Sequence, residues 1–356
     1  MTLRAGDWVE VRSKAEILRS LDKNSRLENL PFMPQMFEYC GQRFRVYKRA
    51  HKTCDTVNPS PAGRRLTNAV HLDLRCDGKA YGGCQTACLI FWKEAWLKPV
   101  NEVTTARTSV LDDIRYRDKL TDETNCSEEI VWKSTCTKDL ETGDGKRYFC
   151  QATELPDFTT PLQWWDMRQY VEDYTSGNLT LGRLVKGFVY ASYHKLARKN
   201  RLGIGRPFRW LYDQFQALVG GVPYPRRDGM IPADQPTPAC ALNLQPGELV
   251  RVKSYKEILA TLETTTLKNR GMAFDAELVP YCGGVYRVQA RVERFINERT
   301  GRLTFVKTPA VILEGVWCQA RYSTFRMGCP RCLYSWWREI WLERADERSP
   351  NGDRRL

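Results

Sequence analysis

The chain has 356 residues, of which 42% are hydrophobic and 11% aromatic, and it carries a formal net charge of +13. This composition excludes a disordered or fibrous chain and predicts two or three globular domains. No apolar run approaches the roughly 20 residues of a membrane span or resembles a signal peptide, so we expect a cytoplasmic protein with no membrane partner.

Residues 1–100 predict a small β-rich module. The segment 6–12 alternates apolar and polar residues after a Gly-Asp turn, as a strand does, and Ser13 then opens an S-x-x-E capping box that predicts a short helix. Two more short strands are predicted at 43–48 and 70–74. The opening G-[DE]-x-V-x-V resembles the first strand of SH3-like barrels.

Residues 101–160 predict a polar linker followed by a hairpin. The segment 101–124 is charged and includes a short predicted helix at 110–117. Strands are predicted at 130–132 and 147–149, on either side of a Gly-Asp-Gly turn. Three cysteines accompany this hairpin, namely Cys126, Cys136 and Cys150.

The remaining chain divides by composition. Residues 161–220 repeat apolar side chains at helical spacing and predict two or three helices, one with a basic end. Residues 221–246 are rich in proline and predict a linker. A second module is predicted at 247–346, followed by a tail at 347–356.

The second module repeats the first. RAGDWVEVRSKAEIL at 4–18 corresponds to QPGELVRVKSYKEIL at 245–259, and both modules end in W-[KR]-E-x-W-L. A nearly constant offset over about a hundred residues indicates duplication. We therefore predict a mixed β and α fold with two SH3-like β-barrel modules in tandem, interrupted by the cysteine-bearing hairpin and a short helical region.

The tryptophans of the repeated ending allow two interpretations. In a basic protein they could stack on bases, but at helical spacing beside cysteines they more often form hydrophobic cover. We predict core packing for the tryptophans of the two endings and of the pair before the helical region, namely Trp92, Trp96, Trp336, Trp337, Trp341, Trp164 and Trp165.

Thirteen cysteines in a reducing compartment predict metal ligation rather than disulfides. The second module offers one set of four thiols, Cys282, Cys318, Cys329 and Cys332. The first module offers Cys40, Cys76, Cys84 and Cys88, with His51 and Cys54 as additional donors. Either Cys84 or Cys88 could correspond to Cys329. The hairpin trio lacks a fourth ligand, which Cys54 or Cys240 could supply unless the position is open.

Four thiolates suit a tetrahedral zinc or a cubane iron–sulfur cluster. The C-x7-C-x3-C spacing of the first module is irregular for zinc and favours iron–sulfur, with two or three centres in the chain. Only three histidines are present, and nucleotide-binding and hydrolase motifs are absent. Catalysis by side chains alone is therefore not expected.

Several whole motifs resemble a family of bacterial cysteine-rich proteins with a duplicated module, sometimes encoded near biosynthetic gene clusters. They are H-K-T-C-D, G-G-C-Q-x-x-C-L-I-F-W-K-E-A-W-L, Y-C-G-x-x-Y-R-V and W-R-E-I-W-L-E-R. The resemblance implies a biosynthetic setting but no particular activity.

Three functions are compatible with these features. The first is a metalloprotein in a redox or accessory role with a redox partner protein. The second is a zinc-stabilised binding module for nucleic acid or another polyanion, since the positive charge favours nucleic acid, phosphorylated metabolites or acidic proteins. The third is an iron–sulfur enzyme acting at an open middle cluster, so enzymatic activity is left open.

Overall fold

The computed structural model describes residues 2–58, 63–100, 126–139, 145–198, 205–322 and 326–345. Short helices alternate with small, mostly antiparallel sheets, which confirms the mixed β and α class. The predicted linker at 101–124, its helix at 110–117 and the tail at 347–356 lie outside the described residues.

The chain divides into two compact units. Unit 1 comprises Met1–Leu184, Arg294–Thr304 and Gly328–Arg331, and unit 2 comprises Val185–Glu293, Phe305–Met327 and Cys332–Leu356. Each has its own hydrophobic core. None of the helices in the described ranges is both long and apolar enough to cross a membrane.

The strands in chain order are β1 Trp8–Val11, β2 Arg26–Leu27, β3 Leu30–Pro31, β4 Arg43–Arg45, β5 Lys48–Arg49, β6 Lys52–Cys54, β7 Gly63–Arg65, β8 Ala69–His71, β9 Trp92–Lys93, β10 Leu97–Pro99, β11 Cys136–Asp139, β12 Gly145–Tyr148, β13 Thr160–Leu162, β14 Leu249–Val252, β15 Lys268–Asn269, β16 Met272–Ala273, β17 Val285–Arg291, β18 Arg294–Ile296, β19 Leu303–Phe305, β20 Ala310–Trp317, β21 Tyr334–Arg338 and β22 Leu342–Arg344. The helices are α1 Lys14–Ser20, α2 Glu128–Lys133, α3 Arg168–Thr175, α4 Leu181–Arg198, α5 Gly205–Val219 and α6 Tyr255–Leu259. Short 3-10 helices lie at Pro34–Tyr39, Lys79–Tyr81, Glu94–Trp96, Ala276–Tyr281 and Glu339–Trp341.

The first strand of unit 1 is central in a sheet of order β10-β1-β4. Val9 and Val11 are fully buried while Trp8 is exposed, so the predicted alternation is confirmed. The predicted capping box is also confirmed, because the Ser13 side chain accepts a hydrogen bond from the Glu16 backbone N–H at the start of α1.

The hairpin after the linker differs in part from its prediction. Residues 130–132 were expected to form a strand, but they belong to α2, which Ser127 caps through the Ile130 N–H. Acidic residues in the first turn, Glu128 and Glu129, further stabilise this helix start. The hairpin itself is formed by β11 and β12.

In unit 2 the largest sheet has the order β21-β20-β17-β14-β22. The predicted helices of the inserted region are confirmed as α4 and α5. The proline-rich residues 221–246, all of which are described, form neither helix nor strand apart from a single bridge at Ile231.

The predicted core packing of the tryptophans is confirmed in part. Trp92, Trp96, Trp337 and Trp341 are fully buried. Trp164 and Trp336 are only partly buried, and the prediction is wrong for Trp165, which is exposed. The spacing of four between the buried tryptophans of each ending does not reflect an α-helix, because each ending folds as a strand, one 3-10 turn and a second strand.

Corresponding residues of the two sequence repeats make corresponding contacts within each unit. The Glu94 carboxylate accepts a hydrogen bond from the Leu3 N–H at 3.3 Å, and the Glu339 carboxylate accepts one from the Leu244 N–H at 3.1 Å. Each glutamate therefore ties down the segment that precedes the first strand of its sheet.

Candidate functional site

One cavity in unit 1 brings together four cysteine side chains. The cavity is partly open to solvent. The remaining lining is largely apolar and includes Met33, Tyr81, Leu89, Phe91 and Ile296. The four thiols belong to Cys76, Cys84, Cys88 and Cys150.

Three of these thiols lie on one loop whose ends are paired. The Cys76 N–H donates to the Cys88 carbonyl oxygen at 2.8 Å, which places both residues at the base of the loop. A 3-10 turn at Lys79–Tyr81 reverses the chain, and the Cys84 N–H then donates to the Tyr81 carbonyl oxygen. These hydrogen bonds fix the position of Cys84 within the loop.

The fourth thiol comes from the segment after the hairpin. The Cys150 N–H donates to the Thr153 hydroxyl at 2.9 Å. The adjacent Gln151 side chain accepts from the Phe91 N–H and donates to the carbonyl oxygens of Phe91 and Pro31. Because Gln151 is buried, these bonds fix the segment against the first module.

Two of the sulfur atoms accept hydrogen bonds. The Gln35 amide nitrogen lies 3.2 Å from the Cys76 Sγ, and the Ile296 backbone nitrogen lies 3.4 Å from the Cys84 Sγ. N–H groups directed at sulfur stabilise the negative charge that a metal-bound thiolate carries.

Without a bound cation the thiols of Cys76, Cys88 and Cys150 are neutral near pH 7. Loss of solvation raises the pKa of Cys76 to about 12 and that of Cys150 to about 11. The same cause raises the pKa of Cys88 well above its ordinary value. A metal that binds these sulfurs must therefore displace protons from them.

A buried ion pair completes the cavity wall. The Arg331 guanidinium is about 1% exposed and donates to the Glu298 carboxylate at 3.0 Å and to the Thr56 hydroxyl at 2.7 Å. Thr56 also contacts Glu298 directly.

The other cysteines predicted for the first module and the hairpin lie outside this cavity lining. Cys40 packs at the edge of the unit 1 core, and Cys54 is buried in β6. The Cys126 thiol contacts the Ser25 hydroxyl at 3.6 Å. Cys136 lies in β11 opposite Tyr148.

His51 has a polar environment of its own. Its Nε2 lies 3.2 Å from both the Asp173 carboxylate and the Gln169 carbonyl oxygen, and the ring is buried. Lys52 contacts the same carboxylate. These contacts involve the Nε2 atom only, because the buried Nδ1 atom has no hydrogen-bond partner among the described residues.

Unit 2 contains three of the cysteines predicted for the second module. Burial raises the pKa of Cys282 to about 12. Cys318 donates its backbone N–H to the Leu333 carbonyl oxygen at 2.8 Å, and the neighbouring Cys332 is buried. Cys329 belongs to unit 1, where it is buried.

These contacts bear on the alignment of the two modules. Cys76 bonds to Cys88, whereas the corresponding Cys318 bonds to Leu333. Leu333 therefore occupies the position of Cys88, and Cys84 corresponds to Cys329. Ala87 and Cys332, which become equivalent in this register, both have a positive φ, of 48° and 42°.

Across the part of the chain that the structure describes, no group of three or more His, Cys, Asp or Glu side chains is arranged around one point as a single metal ion requires. The four cysteines named above share the lining of one cavity. The sequence analysis did not predict that Cys150, Arg331 and Glu298 line the same cavity as cysteines of the first module. One signal was available for the cysteines. When the two halves are aligned on their tryptophans, Cys88 has no matching cysteine in the second half.

Comparison of the sequence with protein-family models and with curated proteins gives no match.

Proposed function

We propose that unit 1 binds an iron–sulfur cluster through Cys76, Cys84, Cys88 and Cys150, and that the protein serves a redox or accessory role in a biosynthetic pathway. The observation that carries this proposal is the convergence of four thiols on one largely apolar cavity. Cubane clusters are held by four cysteine thiolates in such surroundings.

The arrangement of the thiols supports a cluster over a single zinc ion. Zinc requires its four sulfurs at about 2.3 Å from one point, whereas these thiols line a space. The N–H groups directed at Cys76 and Cys84 support the same choice, since hydrogen bonds to sulfur are typical of clusters.

Such a cluster would supply one-electron transfer. Four protein thiolates leave no position open for a substrate, so we favour electron transfer over substrate activation. Electrons would then be exchanged with a redox partner protein.

We further propose that the two halves are copies of one module built on a small, partly open barrel of the SH3-like type. The paired contacts of Glu94 and Glu339 support this, as do the equivalent sheets β10-β1-β4 and β22-β14-β17. A shared ancestry would explain why the cysteines recur in the second half of the chain.

Anaerobic purification of serine variants tests the cluster. The wild type should be brown and contain iron and acid-labile sulfide, and each of C76S, C84S, C88S and C150S should lose most of its iron. C136S, in the same hairpin region as Cys150 but outside the cavity lining, and C240S, at an exposed cysteine, should retain it. A colourless wild type with stoichiometric zinc would refute the proposal.

A further inference from the structure

Arg331 is a buried cation in the wall of the thiol cavity. It enters unit 1 on the short segment Gly328–Arg331, whose flanking residues belong to unit 2. The sequence predicted that Cys329 and Cys332 ligate one metal. The residue of this segment that lines the cavity is instead Arg331, which lies between them.

The charge of Arg331 is paired with a carboxylate that is itself partly exposed to water. A guanidinium removed from water requires compensation, and the described carboxylate that pairs with it is Glu298, whose side chain is 18% exposed. Burial by itself lowers the pKa of Arg331, but Glu298 and the neighbouring thiols outweigh it, so the guanidinium stays charged. Both groups line the cavity, so its wall has a fixed positive charge and a partly hydrated negative charge.

We infer that Arg331 and Glu298 set the reduction potential of the cluster in this cavity, with effects of opposite sign. This inference rests on the proposed function. Reduction adds one electron from a redox partner, while the four Cys–iron bonds stay intact, so the site becomes more negative by one charge. A buried cation stabilises that added charge and raises the potential, whereas a nearby carboxylate lowers it.

Of the two groups, Arg331 should have the larger effect on the reduction potential. Arg331 is shielded from solvent, so its field on the cavity is weakly screened. Glu298 keeps contact with water and shares its charge with Thr56 and Arg331. Neutralising the arginine should therefore shift the potential further than neutralising the glutamate.

Potentiometric titration with dithionite, followed by visible absorption and electron paramagnetic resonance, tests the inference. We expect R331Q to lower the potential, E298Q to raise it and R331K to lie near the wild type, since lysine keeps the charge. K79Q is the matched control, because Lys79 is a cation on the same cysteine loop but is exposed to solvent, and it should leave the potential unchanged.

Opposite shifts separate an electrostatic role from a structural one, because loss of packing would move both variants in the same direction. If R331Q does not fold, the potentials of E298Q and R331K still test the inference. Loaded R331Q and E298Q whose potentials match the wild type, or shift in the same direction, overturn the inference alone. Absence of iron and sulfide from the wild type overturns the proposed function and the inference with it.

Discussion

Gly78 occupies a position in the cysteine loop that other residues cannot adopt at low cost. Its φ is +70°, in the left-handed region that favours glycine. A Cβ built there would lie 1.9 Å from the Cys84 carbonyl oxygen. The close approach of two backbone segments therefore depends on the missing side chain, and it places Cys84 at the cavity.

Replacement of Gly78 by alanine should destabilise unit 1 by several times the cost of the backbone conformation alone. An alanine with positive φ costs about 1 to 2 kcal/mol, and the contact with a backbone carbonyl cannot be relieved by rotating a side chain. Urea unfolding measures the difference, and the iron content should fall because Cys84 is displaced.

Gly41→Ala is the control for Gly78→Ala, since Gly41 has a similar φ of +75° and no heavy atom within 4 Å of the built Cβ. It should show the conformational cost only. Equal losses for the two variants would show that the contact with Cys84 is unimportant.

Helix α1 illustrates how one cap couples an element to pH. The Ser13 hydroxyl donates to the Glu16 carboxylate at 2.6 Å, and Lys98 lies 2.9 Å from the same group. Burial by itself raises the pKa of Glu16, but the hydrogen bonds from Ser13 and Lys98 outweigh it and lower the pKa to about 2. The ionised carboxylate therefore favours the folded state.

Ser13→Ala should remove about 1 kcal/mol of stability at pH 7 and flatten the acid dependence. A lowered pKa adds stability above the ordinary pKa of 4.5, and that stability is lost as the pH falls towards about 2. The loss between pH 5 and pH 2 should be smaller in the variant. Urea unfolding over this range measures it, with Glu16→Gln as the reference that does not titrate. An unchanged slope in Ser13→Ala would contradict the assignment.

Elements with a local signal were predictable from sequence. The strand at Trp8–Val11 and the cap of α1 follow from alternation and from a four-residue hydrogen-bond motif. Residues 130–132 were assigned to a strand because their apolar run has no period, and the deciding feature, Ser127 followed by two glutamates, lies just before them. The tryptophan spacing was misread as helical because a 3-10 turn between strands produces the same interval.

At the scale of the whole molecule, the sequence similarity of the two halves did not predict which thiols share the cavity. Three of the four predicted thiols of the first module line the cavity, whereas the position expected for Cys40 is taken by Cys150. Cys150 lines this cavity because the neighbouring Gln151 side chain bonds to Phe91 and Pro31. The spacing of cysteines along the sequence does not predict such a tertiary contact. The contributions of residues 294–304 and 328–331 to unit 1 are equally invisible to an alignment of the two halves.

If unit 1 binds the proposed cluster, loading it should protect unit 1 against hydrogen exchange and leave the core of unit 2 unchanged. A ligand that binds only the folded state stabilises the region that must open to release it. The cavity thiols lie on the loop 76–88 and at Cys150, which pack on the unit 1 core. Amides that exchange through opening of that core should slow by about tenfold or more.

Hydrogen exchange followed by mass spectrometry would compare anaerobically reconstituted and chelator-treated protein. Peptides spanning 74–98 and 145–158 report on unit 1, and peptides spanning 249–259 and 310–317 report on unit 2. C88S treated in the same way is the control and should show no protection, because one of the four ligands is missing. Equal protection of both units, or protection of C88S, would mean that metal acts elsewhere than at these four thiols.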